Sequence, residues 1–281
     1  MKRIATNASL SSPSPLAGEG WGGGCDASNA SVGSPPSRTA SRSDLPRKGG
    51  GKENAPGGDI CIAGVTVVAD CGGALYWPEE GLLVVSDLHL EKGSSFARRG
   101  VFLPPYDTAA TLGKLGLLIA RYAPRCVIAL GDNFHDGGGA DRLHDSDRGN
   151  LRALQRGRDW IWITGNHDPE PAKRIGGRFA TTLAVGTLTF RHEPTKKAPD
   201  GEIAGHLHPV ARVTQRGRTV SRRCFALNGK QAVMPAFGAY TGGLNIRHRA
   251  FAEVFGTLAF TAHMLGDGRL YAFTAKRCLP D

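Results

Sequence analysis

Five short segments of the 281-residue chain carry side chains able to hold hard cations and to move protons: Ser86-Asp87-Leu88-His89, Gly131-Asp132-Asn133, Gly165-Asn166-His167-Asp168, Phe190-Arg191-His192-Glu193 and Gly205-His206-Leu207-His208-Pro209. Carboxylate, imidazole and amide oxygen without a thiolate suit Mn²⁺, Fe²⁺ or Zn²⁺ better than a soft cation. In Asp87-x-His89 and His206-x-His208, alternate residues of an extended segment point the same way, so each pair can feed one site. The two oxygens of Asp132 can bridge cations about 4 Å apart, the separation typical of two-metal hydrolases. Two such cations acidify a shared water, giving a hydroxide nucleophile, and neutralise phosphate oxygens as charge shifts in the transition state. The leaving alkoxide still needs a proton. His167, beside the expected ligand Asn166, can supply it, with Asp168 orienting and polarising its ring. A lone histidine is more often structural than catalytic, but five ordered motifs are hard to read that way. They use His89, His167, His192, His206 and His208, and leave His135, His144, His248 and His263 unassigned.

The elements that must position these groups are legible as continuous apolar runs. Leu82-Leu83-Val84-Val85, Cys126 to Leu130 and Trp160 to Ile163 read as buried strands, and each ends at one of the motifs. Ligands commonly collect at the carboxyl ends of strands in α/β sheets. Between the first two strands, Asp107 is an expected N-cap. Ala110, Leu112, Leu115, Leu118, Ile119 and Tyr122 then form an apolar helix face before Pro124 stops it. A second helix is expected over residues 147–155. After Gly176 the pattern changes to short strands: Thr187 to Phe190, a hairpin from Ala211 to Arg222 turning at Arg216-Gly217, and a turn at Gly266-Asp267-Gly268. Strand–helix–strand units followed by hairpins indicate an α/β fold, a mixed sandwich.

Residues 1–58 differ from all that follow. They are rich in Ser, Gly and Pro and poor in apolar residues, so they are expected to form a disordered, low-complexity N-terminal extension ahead of one catalytic domain over 59–281. The extension holds seven Lys/Arg against four Asp/Glu, so most of the net charge of +10 belongs to the domain. That balance suits a polyanionic partner such as nucleic acid. Six scattered cysteines without a C-x-x-C pair read as reduced thiols of a cytoplasmic protein. No apolar run reaches the roughly 18 residues of a membrane span, so no membrane association is expected.

The five motifs resemble the D-x-H, G-D, G-N-H-D, H and G-H-x-H blocks of the calcineurin-like metallophosphoesterase superfamily, over about Asp87 to His208. The resemblance implies a sandwich of two mixed β-sheets flanked by helices. It also implies two divalent metal ions, Mn²⁺ first, with Fe²⁺, Zn²⁺ or Mg²⁺ as alternatives. Asp87, His89 and His208 would bind the first metal and Asn166, His192 and His206 the second, with Asp132 bridging. His167 would contact the phosphate and protonate the leaving group. A narrower likeness runs through Leu90 to Gly100, Leu103-Pro104-Pro105-Tyr106-Asp107-Thr108 and Gly131-Asp132-Asn133-Phe134-His135-Asp136. These segments resemble the bacterial ligase-associated DNA-damage-response endonuclease branch. That branch implies a DNA phosphodiesterase acting in repair with an ATP-dependent DNA ligase, a helicase and an exonuclease. Arg98, Arg99, Arg222 and Arg223, together with Arg216 and Arg218, are available to grip phosphates beside the scissile bond. No helix-turn-helix, zinc-finger or RNA-recognition pattern is present, so sequence-specific readout is not expected. The alternative is a phosphoesterase or pyrophosphatase acting on a small nucleotide-type substrate, which the same centre would serve. A non-enzymatic scaffold would be expected to have lost ligands, and none is missing.

Overall fold

The computed structural model describes residues 57–281 apart from residues 173, 197, 257 and 258. The expected extension therefore lies, as far as residue 56, outside the described residues. The first sheet begins as an antiparallel meander of β1 (Gly57–Ile62), β2 (Val65–Asp70), β3 (Leu75–Trp77) and β4 (Leu82–Val85). It continues in parallel through β5 (Cys126–Leu130), β6 (Asp159–Ile163) and β7 (Arg178–Ala180). The β4–β5 crossover carries α1 (Lys92–Ala97) and α2 (Asp107–Tyr122), and the β5–β6 crossover carries α3 (Gly139–Arg142) and α4 (Asp145–Gln155).

The second sheet is built from β8 (Thr182–Val185), β9 (Leu188–Arg191), β10 (Glu202–Ala204), β11 (Pro209–Gln215), β12 (Arg218–Leu227), β13 (Ala232–Val233), β14 (Leu244–Asn245), β15 (Thr261–Leu265) and β16 (Leu270–Thr274). Its strands run in the order β14-β11-β12-β13-β10-β9-β8, with β15 beside β12 and β16 beside β15. Helix α5 (Arg249–Phe255) precedes β15.

Period-two alternation explains how these strands stack into layers. Leu82, Val84, Ile128, Leu130, Ile161 and Ile163 point to one face of the first sheet, where they meet Leu188, Phe190, Ile203 and Phe225 of the second. Their neighbours Leu83, Val85, Val127, Ala129, Trp160 and Trp162 point the other way, onto Leu112, Leu115 and Leu118 of α2 and Leu151 of α4. The outer face of the second sheet is closed by Phe251, Val254 and Phe255 of α5. The result is the expected pair of mixed sheets flanked by helices. β4, β5 and β6 are covered on both faces, which is why they read as unbroken apolar runs.

Two local expectations shift. β1 starts at Gly57, two residues before the expected domain boundary. Tyr106, not Asp107, occupies the N-cap of α2. Asp107 is buried in that helix's first turn, and its carboxylate accepts hydrogen bonds from Lys92 N (2.8 Å) and Gly93 N (3.3 Å), capping the start of α1. No helix among the described residues is long and apolar enough to cross a membrane.

Candidate metal centre

The seven expected ligands follow the carboxyl ends of β4, β5, β6, β9 and β10 and converge in space. Imidazole and carboxylate atoms of Asp87, His89, Asp132 and His208 lie within 4.8 Å of one another, and so do those of Asp132, His192 and His206. Asp132 belongs to both groups. Asn166 completes the second, its Oδ1 lying 2.9 Å from His192 Nε2 and 2.9 Å from His206 Nδ1. Asp87 and Asp132 form a buried floor, 0% and 2% exposed, while Asn166 and His167 stand exposed at the mouth.

The expectation that the D-x-H and H-x-H pairs lie on extended backbone is corrected. Asp87, His89, Asp132, His206 and His208 all have positive φ, between 43° and 68°. Non-glycine residues pay about 1–3 kcal/mol each for such backbone, so the surroundings must over-determine it. They do so by hydrogen bonds: His89 N donates to Asp132 O (2.8 Å), Gly238 N to Asp87 O (3.1 Å), and His206 N to the Asp87 carboxylate (3.1 Å). Both pairs reach one site, but by turning rather than by alternating.

Two motif glycines are dictated by this crowding. A Cβ at Gly205 would overlap Ser86 Oγ and approach Asp87 Oδ2, and one at Gly165 would overlap the backbone nitrogen and Oδ1 of Asp132. Gly165→Ala is therefore expected to displace the shared carboxylate and lower the metal content of both groups, with the fold intact. Metal analysis together with the far-ultraviolet spectrum of the purified variant checks this.

The donor set fits a pair of hard or borderline divalent cations. His89 Nε2 lies 3.4 Å from His208 Nε2, and His192 Nε2 lies 3.2 Å from His206 Nδ1. Two neutral rings present lone pairs to each other in this way only if a proton or a shared cation lies between them. The outer nitrogens are also held: His192 Nδ1 donates to Leu130 O (2.9 Å), and His89 Nδ1 lies 3.4 Å from His135 Nδ1. Such outer partners fix the tautomer and orientation of a ligand ring.

The electrostatics follow from the burial of opposite charges together. Burial would push the Asp132 carboxyl up, yet the hydrogen bond and charge of His192 hold it well below the usual carboxylate range. Burial would likewise push His192 down, but its hydrogen bond to Asp132 and the Asp87 charge raise it to about 9. His89 has burial against it more than carboxylates for it, and falls to about 3. His192 is thus protonated at pH 7 in the metal-free protein, whereas a ligand must be neutral. Metal binding is expected to release a proton from this ring, with affinity rising as pH climbs toward 9. Without metal the sign for folding is opposite: stability from His192 is complete below its ordinary value of about 6.5 and fades as pH rises through 9. Calorimetric metal titrations in two buffers of different ionisation enthalpy would read the released proton directly.

Around the ligands, two expected roles change hands. Asp168 does not touch the His167 ring. Its Oδ2 accepts from Asn133 N (3.0 Å), Asn133 Nδ2 (2.9 Å) and Phe134 N (3.3 Å), and its Oδ1 accepts from Gly165 N (3.2 Å). It ties the loops after β5 and β6 together; burial, aided by the Asp132 charge, lifts it to about 6 despite the Asn133 hydrogen bond. The ring of His167 instead donates through Nδ1 to the carbonyl of His135 (2.8 Å), leaving Nε2 3.9 Å from Asp132 Oδ2. His135, unassigned from sequence, also stacks on His167 with ring centroids 5.3 Å apart. Its place three residues after Asp132 was the available signal.

The arginines divide as well. Arg98 and Arg99 are exposed at the end of α1. Arg223 is committed elsewhere, donating to Ala236 O (2.9 Å) and Thr241 O (3.1 Å), so it supports the loop behind Asp87 and is not free to grip phosphate. Arg222, two-faced strand neighbour of Arg223, lines a cavity of about 510 Å³ with Cys71 and Tyr271 that contains no metal ligand.

Comparison with known proteins agrees with this geometry. The crystal structure of Pseudomonas putida nuclease MPE is similar over 77% of this chain and 100% of that one, with a TM-score of 0.59 and 25% sequence identity. No curated protein matches the chain in sequence. The profile of the calcineurin-like phosphoesterase family matches residues 82–223, from the start of β4 into β12. That stretch is just over half of the chain and holds all seven expected ligands and His167, and the chain belongs to the calcineurin-like phosphoesterase family.

Proposed function

We propose that the chain is a Mn²⁺-dependent phosphodiesterase that cleaves DNA as an endonuclease. We place it in the cytoplasm, in repair alongside an ATP-dependent DNA ligase, a helicase and an exonuclease. The observation that carries the enzymatic part is the aim of His167, whose Nε2 faces the carboxylate shared by both ligand groups while its Nδ1 is held by a backbone carbonyl. The step to DNA is supported by the similarity to a nuclease, by the basic domain and by the branch-like segments after His89 and Asp132.

Asp87, His89 and His208 would hold one cation and Asn166, His192 and His206 the other, with Asp132 between them. When bound, the cations acidify water and neutralise phosphate oxygens. The rest is done by the chain. The His135 carbonyl keeps the His167 Nδ1 protonated, so Nε2 is the nitrogen that carries and releases a proton toward the departing oxygen. The buried Asp87 and Asp132 fix the floor, and Asp168 keeps the loops bearing Asn133 and Gly165 in register. Arg98 and Arg99 are left to meet flanking phosphates.

A Mn²⁺ assay over single- and double-stranded DNA, a small diester, a monoester and a pyrophosphate tests the reading. Cleavage of DNA is the expected result. Hydrolysis of small esters with DNA left intact would sink the nuclease part and leave the small nucleotide-type substrate in its place.

A further inference from the structure

The segment joining α1 to α2 presents large apolar side chains to solvent, and it follows a helix whose Phe96 packs against His135. Phe102 is 85% exposed and Tyr106 67% exposed, the former among the most exposed large apolar residues described, with Val101 next to them at 50%. Among the described residues, neither ring stacks on another ring or lies under a cation. The segment is nevertheless tied down: Val101 N donates to Phe96 O (3.1 Å), and Asp107, next to Tyr106, caps α1. It is also basic, because Arg98 and Arg99 open it and Lys92 starts the helix before it.

A run of ring contacts leads from this segment to the reacting groups. The Arg99 guanidinium lies 5.9 Å from the Phe96 ring centroid, Phe96 lies 5.4 Å from His135, and His135 stacks on His167 at 5.3 Å. Exposed aromatics set among cations beside a phosphodiesterase centre match the way unpaired nucleic acid is held: bases stack on rings while cations track the backbone. A flat ring can stack only on the face of a base, and a duplex conceals those faces except at its ends. We propose that the Arg98–Tyr106 segment is the strand-binding ridge of this enzyme, with Phe102 and Tyr106 stacking on unpaired bases and Arg98 and Arg99 holding the intervening phosphates. This inference rests on the phosphodiesterase reading above and adds which residues select the form of the substrate. An apolar protein partner would account for Phe102 but not for the arginines or for the nearness of His167.

The test uses the full chain with Mn²⁺, a fluorescent single-stranded oligonucleotide, the matching duplex, and bis(p-nitrophenyl) phosphate as a reference for the intact centre. Phe102→Ala and Tyr106→Ala are each expected to raise KM for the single strand about tenfold relative to the reference reaction, in line with the strength of base–aromatic stacking. Phe102→Trp should restore it. Leu117→Ala, which removes a comparably exposed side chain from α2, should leave both reactions unchanged. Arg98→Ala and Arg99→Ala should each make the salt dependence shallower by about one in the log–log slope. Single-strand kinetics unchanged by both aromatic variants would overturn the inference and leave a protein partner as the occupant. Equal losses on single strand and duplex would overturn it too, as a purely structural effect. If no oligonucleotide is cleaved while the small diester is hydrolysed, the nuclease reading itself falls and takes this inference with it.

Discussion

Asp132→Ala is expected to remove both metals together and to lower hydrolysis of every phosphate ester by on the order of 10³-fold or more. Loss of a single transition-state donor costs about 10²–10³-fold in other hydrolases, and Asp132 organises donors on both sides at once. It is the one carboxylate common to the two ligand groups, and it is also structural to the loop after β6: its Oδ1 accepts the backbone N–H of His167 at 3.0 Å. Asn166→Ala removes a donor from one group only, so it should lower the content of one metal while leaving the other bound. Metal analysis of the two variants side by side makes the comparison. If Asp132→Ala retained both metals, or stayed within tenfold of the parent activity, the shared role would be wrong.

The second large effect is expected at His167. Its replacement by Ala should keep both metals, because its nitrogens belong to neither the Asp87–His208 group nor the His192–His206 group. Turnover on a substrate with an alkoxide leaving group should fall by roughly 10²–10⁴-fold, the usual contribution of a positioned proton donor. The deficit should shrink for a nitrophenyl ester, whose leaving group needs no proton. Loss of metal in the variant, or a deficit independent of leaving group, would assign the ring to ligation or packing instead. Although three imidazole nitrogens of His89, His135 and His167 also lie within 4.8 Å of one another, the His135 carbonyl already occupies one nitrogen of His167.

The chemistry was largely legible in the sequence, because ligand chemistry is a property of side-chain type. Asp, Asn and His at the ends of apolar runs name the donor atoms, and the runs at 82–85, 126–130 and 160–163 are themselves strand signals. What surrounds the donors was less legible. Asp168 stands next to His167 in sequence, yet its carboxylate turns to Asn133 and Phe134, more than 30 residues away. Arg223 and Arg222 look alike in the sequence, but one is spent on two loop carbonyls and the other faces a separate cavity. His135 stands three residues after Asp132, but only folding sets its ring against His167 and His89.

By itself, then, the amino-acid sequence determined the element types, the layered α/β architecture and the set of groups able to hold cations, since each follows from local pattern and side-chain chemistry. The tertiary structure alone decided how those groups are shared out. His89 and His208 are 119 residues apart and meet at 3.4 Å only because both sheets end on the same rim. There Asp87, His89, Asp132, His206 and His208 are held in left-handed backbone by hydrogen bonds between loops that no local propensity specifies.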